Sequence, residues 1–271
     1  MRHAATLPLL VVGLAMLLPA TLAAEGDWAT ASNEAGAPRQ ATATASDTTY
    51  RVLLLRAAPG RLDDLIGLFR DRFPVLDAAQ IERPVVMRHS QGDQWDLMLL
   101  FPTEPLAEYF GEARGRRLAA AAQDAGFSEA DFQDSLRDLV AFREELFAAG
   151  PPHEDLAERA RGAGLYHIEM FVAVAGRYDD LVEQRHMENA YYHATDREGN
   201  LVFTRLAGAQ WDVFTVGFYD DMSHFASEPD LPREQLEQAA IDAGFESRGT
   251  IGTYLRELMH HHNDTLAVPI R

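Results

Sequence analysis

Two sets of polar residues in the second half of the sequence have types and spacings suited to chemistry. The first is His167 and Glu169, which lie two positions apart in an apolar run and so share one face of a predicted strand. If that face lines an apolar interior, desolvation would raise the pKa of Glu169, and the pair could perform general acid–base catalysis. The alternative is a structural ion pair with Arg51, Arg88 or Arg205, because buried charges are usually paired. Arg51, Arg205 and His224 are also candidate ligand-binding residues.

The second set lies on a predicted helix. His186 and His193 are seven positions apart, nearly eclipsed on one helical face, and Asn189 lies between them. Together with Arg185 and Tyr192, they could line a polar pocket for a small molecule. The segment lacks the Glu-Xaa-Xaa-His and His-Glu-Xaa-Xaa-His forms of helical metal motifs, so we predict no metal site. Surface or satisfied core histidines are the alternative.

An internal repeat must position these residues. Residues 50–96 align with residues 166–212 at a constant offset of 116, and 14 of the 47 positions are identical. Average residue usage would give about 3 identities by chance, at a match rate of roughly 6–7%. The identities are concentrated where residues 60–65 match 176–181 and where 92–96 match 208–212. The chain therefore contains one structural unit twice.

Each repeat predicts the element order βαββαβ. Apolar and β-branched runs give the strands, a glycine ends each first strand, and an acidic pair begins each first helix. The predicted strands are 50–57, 84–90, 94–101 and about 144–148 in the first unit, and 166–174, 201–206, 210–219 and about 264–268 in the second. A long helix is predicted over 104–124, and His260-His261-His262 is predicted to end the last helix.

This order predicts an α+β fold made of two tandem ferredoxin-like units, 49–150 and 164–271. A βαββαβ sheet has helices on one face only, so its other face needs a cover. The second copy is the available cover. We therefore expect two antiparallel sheets packed face to face as an intramolecular α+β barrel, in a chain that is a monomer or homodimer.

The first helices of the two units differ in their core-facing residues. Leu65, Phe69 and Phe73 form an apolar stripe in the first unit. The matching positions of the second unit include Arg185 and Asn189. The second helix has lost part of its core face, which makes it a candidate wall of a site.

The N-terminus and the composition bound the protein's class. Residues 1–24 read as a secretory signal peptide and 25–48 as a flexible linker, which predicts a periplasmic or secreted protein without membrane insertion after signal removal. There is no cysteine and no lysine, so disulfides, thiolate sites and Schiff-base chemistry are excluded. The formal net charge of -18 argues against nucleic-acid binding.

The strand–Gly-Arg-Xaa-Asp-Asp-Leu–helix opening, the Gln-Trp-Asp strand and their tandem arrangement resemble the dimeric α+β barrel superfamily, which includes NIPSNAP-like, EthD-like and antibiotic-biosynthesis-monooxygenase-like proteins. The resemblance implies a pocket inside the barrel or between sheet and helices. It also implies that His224, which follows the third strand of the second unit, matches the position of an axial histidine in haem-degrading members. Haem is on that basis the one cofactor considered.

The sequence leads to one main functional hypothesis with two alternatives. The main hypothesis is an exported protein that binds a small aromatic or apolar ligand between its two units. The first alternative is a cofactor-independent monooxygenase-like or haem-binding enzyme that uses the His and Glu residues of the second unit. The second is an acidic protein-interaction module.

Overall fold

The computed structural model describes residues 48–270. The predicted signal peptide and almost all of the predicted linker lie outside these residues. The strands are β1 (Thr48–Ala57), β2 (Val85–Gln91), β3 (Leu97–Thr103), β4 (Val140–Gly150), β5 (Leu165–Ala173), β6 (Leu201–Gly208), β7 (Val213–Tyr219) and β8 (Met259–Pro269). The helices are α1 (Leu62–Ala78), α2 (Leu106–Tyr109), α3 (Glu112–Asp124), α4 (Glu129–Leu139), α5 (His153–Gly162), α6 (Tyr178–Ala194), α7 (Met222–Phe225), α8 (Arg233–Asp242) and α9 (Ile251–Leu258).

The eight strands form one closed antiparallel barrel in the order β1-β3-β2-β8-β5-β7-β6-β4. Each unit contributes four neighbouring strands, and the units join where β2 pairs with β8 and where β4 pairs with β6. Closure gives every strand a partner on both sides, so neither sheet keeps an exposed edge. The predicted tandem ferredoxin-like α+β barrel is confirmed.

Alternation along the strands divides the apolar residues between two layers. Val52 and Leu54 of β1 point into the barrel, where they share one buried cluster with Ile168 and Met170 of β5. The stacked rings of Phe203 and Phe214, 4.5 Å apart, fill more of the same space. The intervening residues of β1 instead pack beneath α1. The barrel interior is thus a packed core, and the space between sheet and helices is a separate layer.

The repeated Gln-Trp-Asp segment has a structural role in both units. Asp96 Oδ2 accepts a hydrogen bond from Ala57 N at 2.8 Å, and Asp212 Oδ2 accepts one from Ala173 N at 2.9 Å. Both tryptophans of the segment are buried. These bonds hold the ends of β1 and β5, which explains why the segment recurs.

The predicted boundaries are wrong in two regions. The last strand of each unit is longer than predicted, and His260-His261-His262 lies within β8 rather than at the end of a helix. The reason is closure, because β4 and β8 each pair with a strand of their own unit and with one of the other unit. The predicted helix 104–124 is divided into α2 and α3 at Gly111.

The segment between the two predicted units forms α5. Leu156 of this helix is fully buried in the barrel core cluster, and the Tyr50 hydroxyl donates to Pro151 O at 2.9 Å just before the helix begins. Packing of α5 thus adds to the core that the two units share. Within residues 48–270, no helix has the length and apolarity needed to cross a bilayer.

Candidate functional site

A polar cluster lies in the second unit between β5, β8 and α6. His167 and Glu169 are on the outer face of β5, together with Phe171, which packs against the buried Leu181 of α6. The condition for acid–base catalysis inside the barrel, that this face lines the interior, is therefore not met. Alternation defines two strand faces, but it does not say which of them closure will turn inward.

Arg185 of α6 is the centre of the cluster. Its side chain is only 1% exposed, and it forms ion pairs with Glu169, at 3.2 Å, and with Glu188. Its Nε donates to the side-chain oxygen of Gln184 at 2.7 Å, and its guanidinium lies 4.9 Å from the centre of the Phe171 ring. A buried arginine held between two carboxylates cannot leave without exposing unpaired charges to an apolar layer.

Glu169 is a buried carboxylate that stays ionised. Burial alone would raise its pKa, but nearby His262, the charge of Arg185 and the charge of His167 outweigh that effect and lower the pKa to about 2. The predicted upward shift is therefore wrong, because the sequence did not show that α6 would place an arginine beside this strand. A carboxylate with this pKa cannot donate a proton at neutral pH.

His167 connects the cluster to solvent. Its Nε2 lies 2.6 Å from Asp264 Oδ1, and its ring centre lies 5.0 Å from that of Phe225 in α7. Burial would lower its pKa, but the bond to Asp264 and the charge of Glu169 prevail and raise the pKa above its usual value. The alternative of a structural ion pair with Arg51, Arg88 or Arg205 named the wrong arginines, because Glu169 pairs with Arg185 of α6 and His167 with Asp264 of β8.

The matching region of the first unit is apolar. At the offset of 116, Glu169, Arg185 and Thr215 correspond to Leu53, Phe69 and Leu99, which are all buried in the layer between α1 and the sheet. At its solvent-facing edge the first unit also has an ion pair. Arg51 and Glu145 lie 2.5 Å apart, at the positions that correspond to His167 and Asp264. One unit therefore retains an ordinary core layer where the other has ionised groups.

A cleft opens to the surface beside α7 and ends close to this cluster. Its outer part has a volume of about 520 Å³ and is bounded by α5, the end of β7 and the loop after α6. A smaller inner space of about 50 Å³ continues to Tyr192 and Phe225. Tyr192 donates from its hydroxyl to Glu188 Oε1 at 2.8 Å. Two aromatic side chains therefore separate the cleft from the ionic cluster.

Buried tyrosine hydroxyls provide hydrogen-bond donors in this cleft. Burial, with the nearby charges of Glu188 and Glu169, raises the pKa of Tyr192. The pKa of Tyr219 is raised by burial and by Glu169. Both phenols are therefore neutral at physiological pH, and since Tyr192 already donates to Glu188, the hydroxyl of Tyr219 is the one able to donate to a ligand.

Several predicted site residues lie away from the cluster. His186 and His193 are exposed on α6. The amide of Asn189 donates to Asn200 O at 2.7 Å and accepts from Asn200 N at 2.8 Å, so it ties the helix to the start of β6. Arg205 is paired with Asp212. Among the predicted residues, the structure brings together His167, Glu169, Arg185 and Tyr192.

His224 lines the outer cleft, but the cleft does not suit haem. The histidine is half exposed, and its Nδ1 accepts a hydrogen bond from Asp220 N at 3.2 Å. Four carboxylates share the lining, from Asp155, Glu158, Glu198 and Asp220. The propionates of a haem would meet like charges there, which is unfavourable.

Sequence reasoning missed the contributions of β8 and of one helix residue, Glu188. Asp264 aligns with Glu145 in the repeat, and His262 lies two positions earlier on the same strand face. Extending the predicted last strand backward by alternation would have placed both beside Glu169. Glu188 follows Arg185 by three positions, a spacing that predicts contact on a helix.

Comparisons with known proteins agree with this architecture. No family model matches the sequence, and no curated protein matches it significantly. An anthrone oxidase-like protein of known structure superposes with a TM-score of 0.51 at 11% identity, covering 84% of this chain and 93% of that one. A NIPSNAP family protein from Agrobacterium tumefaciens, with 15% identity and a TM-score of 0.30, covers 40% of this chain and 93% of its own. A monooxygenase-type protein from Lactobacillus acidophilus has 11% identity, a TM-score of 0.42 and coverages of 82% and 93%.

These neighbours belong to the dimeric α+β barrel superfamily. Identities this low support the fold and nothing finer. The closed barrel described above has the strand count and the layering of that fold, and one polypeptide supplies both halves. The resemblance predicted from the sequence is confirmed, and the chain has the dimeric α+β barrel fold.

Proposed function

We propose that the protein binds a small, neutral, hydroxylated aromatic compound in the cleft beside α7, next to the ionic cluster of the second unit. The observation that carries this proposal is the asymmetry between the units. Burying ionised groups costs desolvation free energy even when the charges are paired, and the first unit shows that an apolar layer suffices for this fold, so the charges of the second unit indicate a function. The ionic cluster also lies beside the cleft described above.

The lining of the cleft favours this class of ligand. Phe218, Tyr219 and Phe225 give the cleft an aromatic lining that suits a flat molecule, and the neutral hydroxyl of Tyr219 can donate to a ligand oxygen. The four carboxylates of the outer cleft disfavour an anion, and Arg159 is already paired with Glu198 at 3.1 Å. The proposed ligand therefore lies outside the barrel, whereas the sequence-based hypothesis put it between the two units.

Thermal-shift measurements on the full chain, in the presence of a chelator, test the proposal. We expect neutral phenols and hydroxyquinones to raise the melting temperature and benzoates to have no effect. At a concentration of about 100 times Kd, a ligand adds roughly 2.7 kcal/mol to the free energy of unfolding. Phe225→Ala should abolish the ligand-induced shift in melting temperature, because it removes an aromatic ring that lines the inner part of the cleft.

Tyr109→Ala is the matched control, since Tyr109 occupies the position of Phe225 in the first unit. It should leave the ligand-induced shift intact. Equal shifts in both variants, or no shift with any neutral aromatic compound, would argue against the proposed cleft.

We also propose that the protein is exported, on the basis of its N-terminal apolar segment. Intact-mass measurement of the protein recovered from the periplasm or medium should give a chain that begins within a few residues of Ala24. Recovery of the chain in the cytoplasm with its first 24 residues attached would contradict export.

A further inference from the structure

Three potential metal ligands, from His167, Glu169 and Asp264, converge on the outer face of two neighbouring strands, and His262 faces Glu169 beside them. Glu169 of β5 is directly paired with Asp264 of β8, and His167 and His262 lie diagonally on either side. One donor atom each from His167, Glu169 and Asp264 lie within 4.8 Å of one another. His186 and His193 of α6 do not belong to this group, whose ligands come from two strands far apart in sequence.

The two oxygens of Glu169 have different surroundings. Oε2 faces Arg185 Nη1 at 3.2 Å and accepts from the Thr215 hydroxyl at 3.3 Å. Oε1 faces His262 Nε2 at 3.6 Å, which is too long for a hydrogen bond. This nitrogen is buried and has no hydrogen-bond partner among residues 48–270. A nitrogen without a hydrogen bond and a carboxylate oxygen therefore face each other, at ion-pair distance, in a low-dielectric layer.

A cation between these two atoms would satisfy both. Two metal–ligand bonds of about 2.1 Å at a tetrahedral angle place their donor atoms about 3.4 Å apart, close to the separation observed here. The 2.6 Å contact of His167 Nε2 with Asp264 Oδ1 needs to widen by less than 1 Å to reach the same spacing. We propose that His167, Glu169, His262 and Asp264 bind one divalent first-row transition-metal ion.

The surroundings support this set of ligands. Arg185 and Thr215 hold the carboxylate of Glu169, and the Phe171 ring stacks on His262 at 4.9 Å with an interplanar angle of 17°. Such contacts orient ligands and sharpen affinity. Two imidazoles with two carboxylates suit Zn²⁺, Fe²⁺ or Co²⁺ better than Mg²⁺ or Ca²⁺, which prefer oxygen.

The first unit provides an internal comparison. The strand registers place Arg51, Leu53, Arg143 and Glu145 at the four corresponding positions, and only the last can bind a metal. The set of ligands therefore occurs once in the paired strands of the barrel. This inference goes beyond the proposed aromatic ligand and does not require it.

Titration of the chelator-treated full chain with Co²⁺, followed by its visible absorption, tests this site. The background carries His260→Gln and His261→Gln, because these exposed neighbours would bind metal adventitiously. We expect a visible absorption typical of tetrahedral Co²⁺ that saturates at one equivalent. Zn²⁺ should displace the Co²⁺ ion and remove this absorption. Asp264→Asn should weaken metal binding by about tenfold or more. Because the Asp264 side chain is half exposed, this substitution should leave the fold intact.

His262→Gln in the same background should remove the spectrum, and Glu145→Gln in the first unit should leave it unchanged. Absence of saturable absorption would overturn the inference. So would a spectrum that survives both Asp264→Asn and His262→Gln, because the ion would then lie elsewhere. No aromatic compound is present in this experiment, so its result is independent of the proposed ligand cleft.

Discussion

Arg185→Phe is expected to lower the free energy of unfolding by about 3–5 kcal/mol, since it leaves Glu169 and Glu188 buried without their cationic partner. Phenylalanine is the residue at the corresponding position of the first unit, so its size and apolarity suit this layer of the fold. The loss would therefore come from the stranded charges. Urea unfolding followed by tryptophan fluorescence measures it.

A variant that takes the apolar residues of the first unit at three positions, and in which Glu188 is also neutralised, tests whether unpaired charges cause this loss. Glu169→Leu, Thr215→Leu and Glu188→Gln, combined with Arg185→Phe, remove the unpaired charges and rebuild an apolar layer. We expect its stability to return to within about 2 kcal/mol of the original protein. The account of the cluster fails if Arg185→Phe alone is harmless, or if the four changes simply add their separate costs.

Gly208→Ala is expected to cost about 2–5 kcal/mol, because it strains the backbone and forces the seam between the units apart. Gly208 has φ of +103°, and a Cβ built on it would lie 2.5 Å from Glu145 O and 2.7 Å from Leu146 Cα. Both of those atoms belong to the β4 backbone, which cannot rotate away. Gly92 has the same role at the other seam, where its Cβ would lie 2.2 Å from Asp264 O.

Gly60→Ala is the control for backbone conformation alone. Gly60 also has a positive φ, of +75°, but no atom lies within 4 Å of its added Cβ. It should cost only about 1–2 kcal/mol, as judged by the same urea unfolding. Equal losses in the two variants would show that close approach at the seam contributes nothing to closure.

The fold could be predicted because the strand, turn and helix-start patterns are local in sequence and occur in both repeats. Each turn glycine and each acidic helix start recurs at a fixed offset, so two weak assignments of the same element support each other. Arg185 could also be identified, since it interrupts an apolar stripe that the first unit keeps intact. These features depend on neighbours along the chain.

The composition of the site depends on residues that are distant in sequence, on the adjacent strand β8 and on the covering helix α6, and the sequence does not show these contacts. Alternation placed His167 with Glu169 but could not decide that their face lies under α6. The strand character of His262 and the ionised state of Glu169 arise only when β8 pairs with β5 and when α6 packs over both. Tertiary contacts overrode the local preference in each case.

We propose that the ligand binds outside the barrel, in the cleft of the second unit. Methionine methyl NMR tests it, because Met222 lies in α7 beside that cleft, whereas Met87, Met98 and Met170 are buried in the barrel core. Addition of an aromatic ligand should shift the Met222 signal and leave the three core signals in place. Shifts of the core signals with Met222 unchanged would place the ligand inside the barrel and contradict the account.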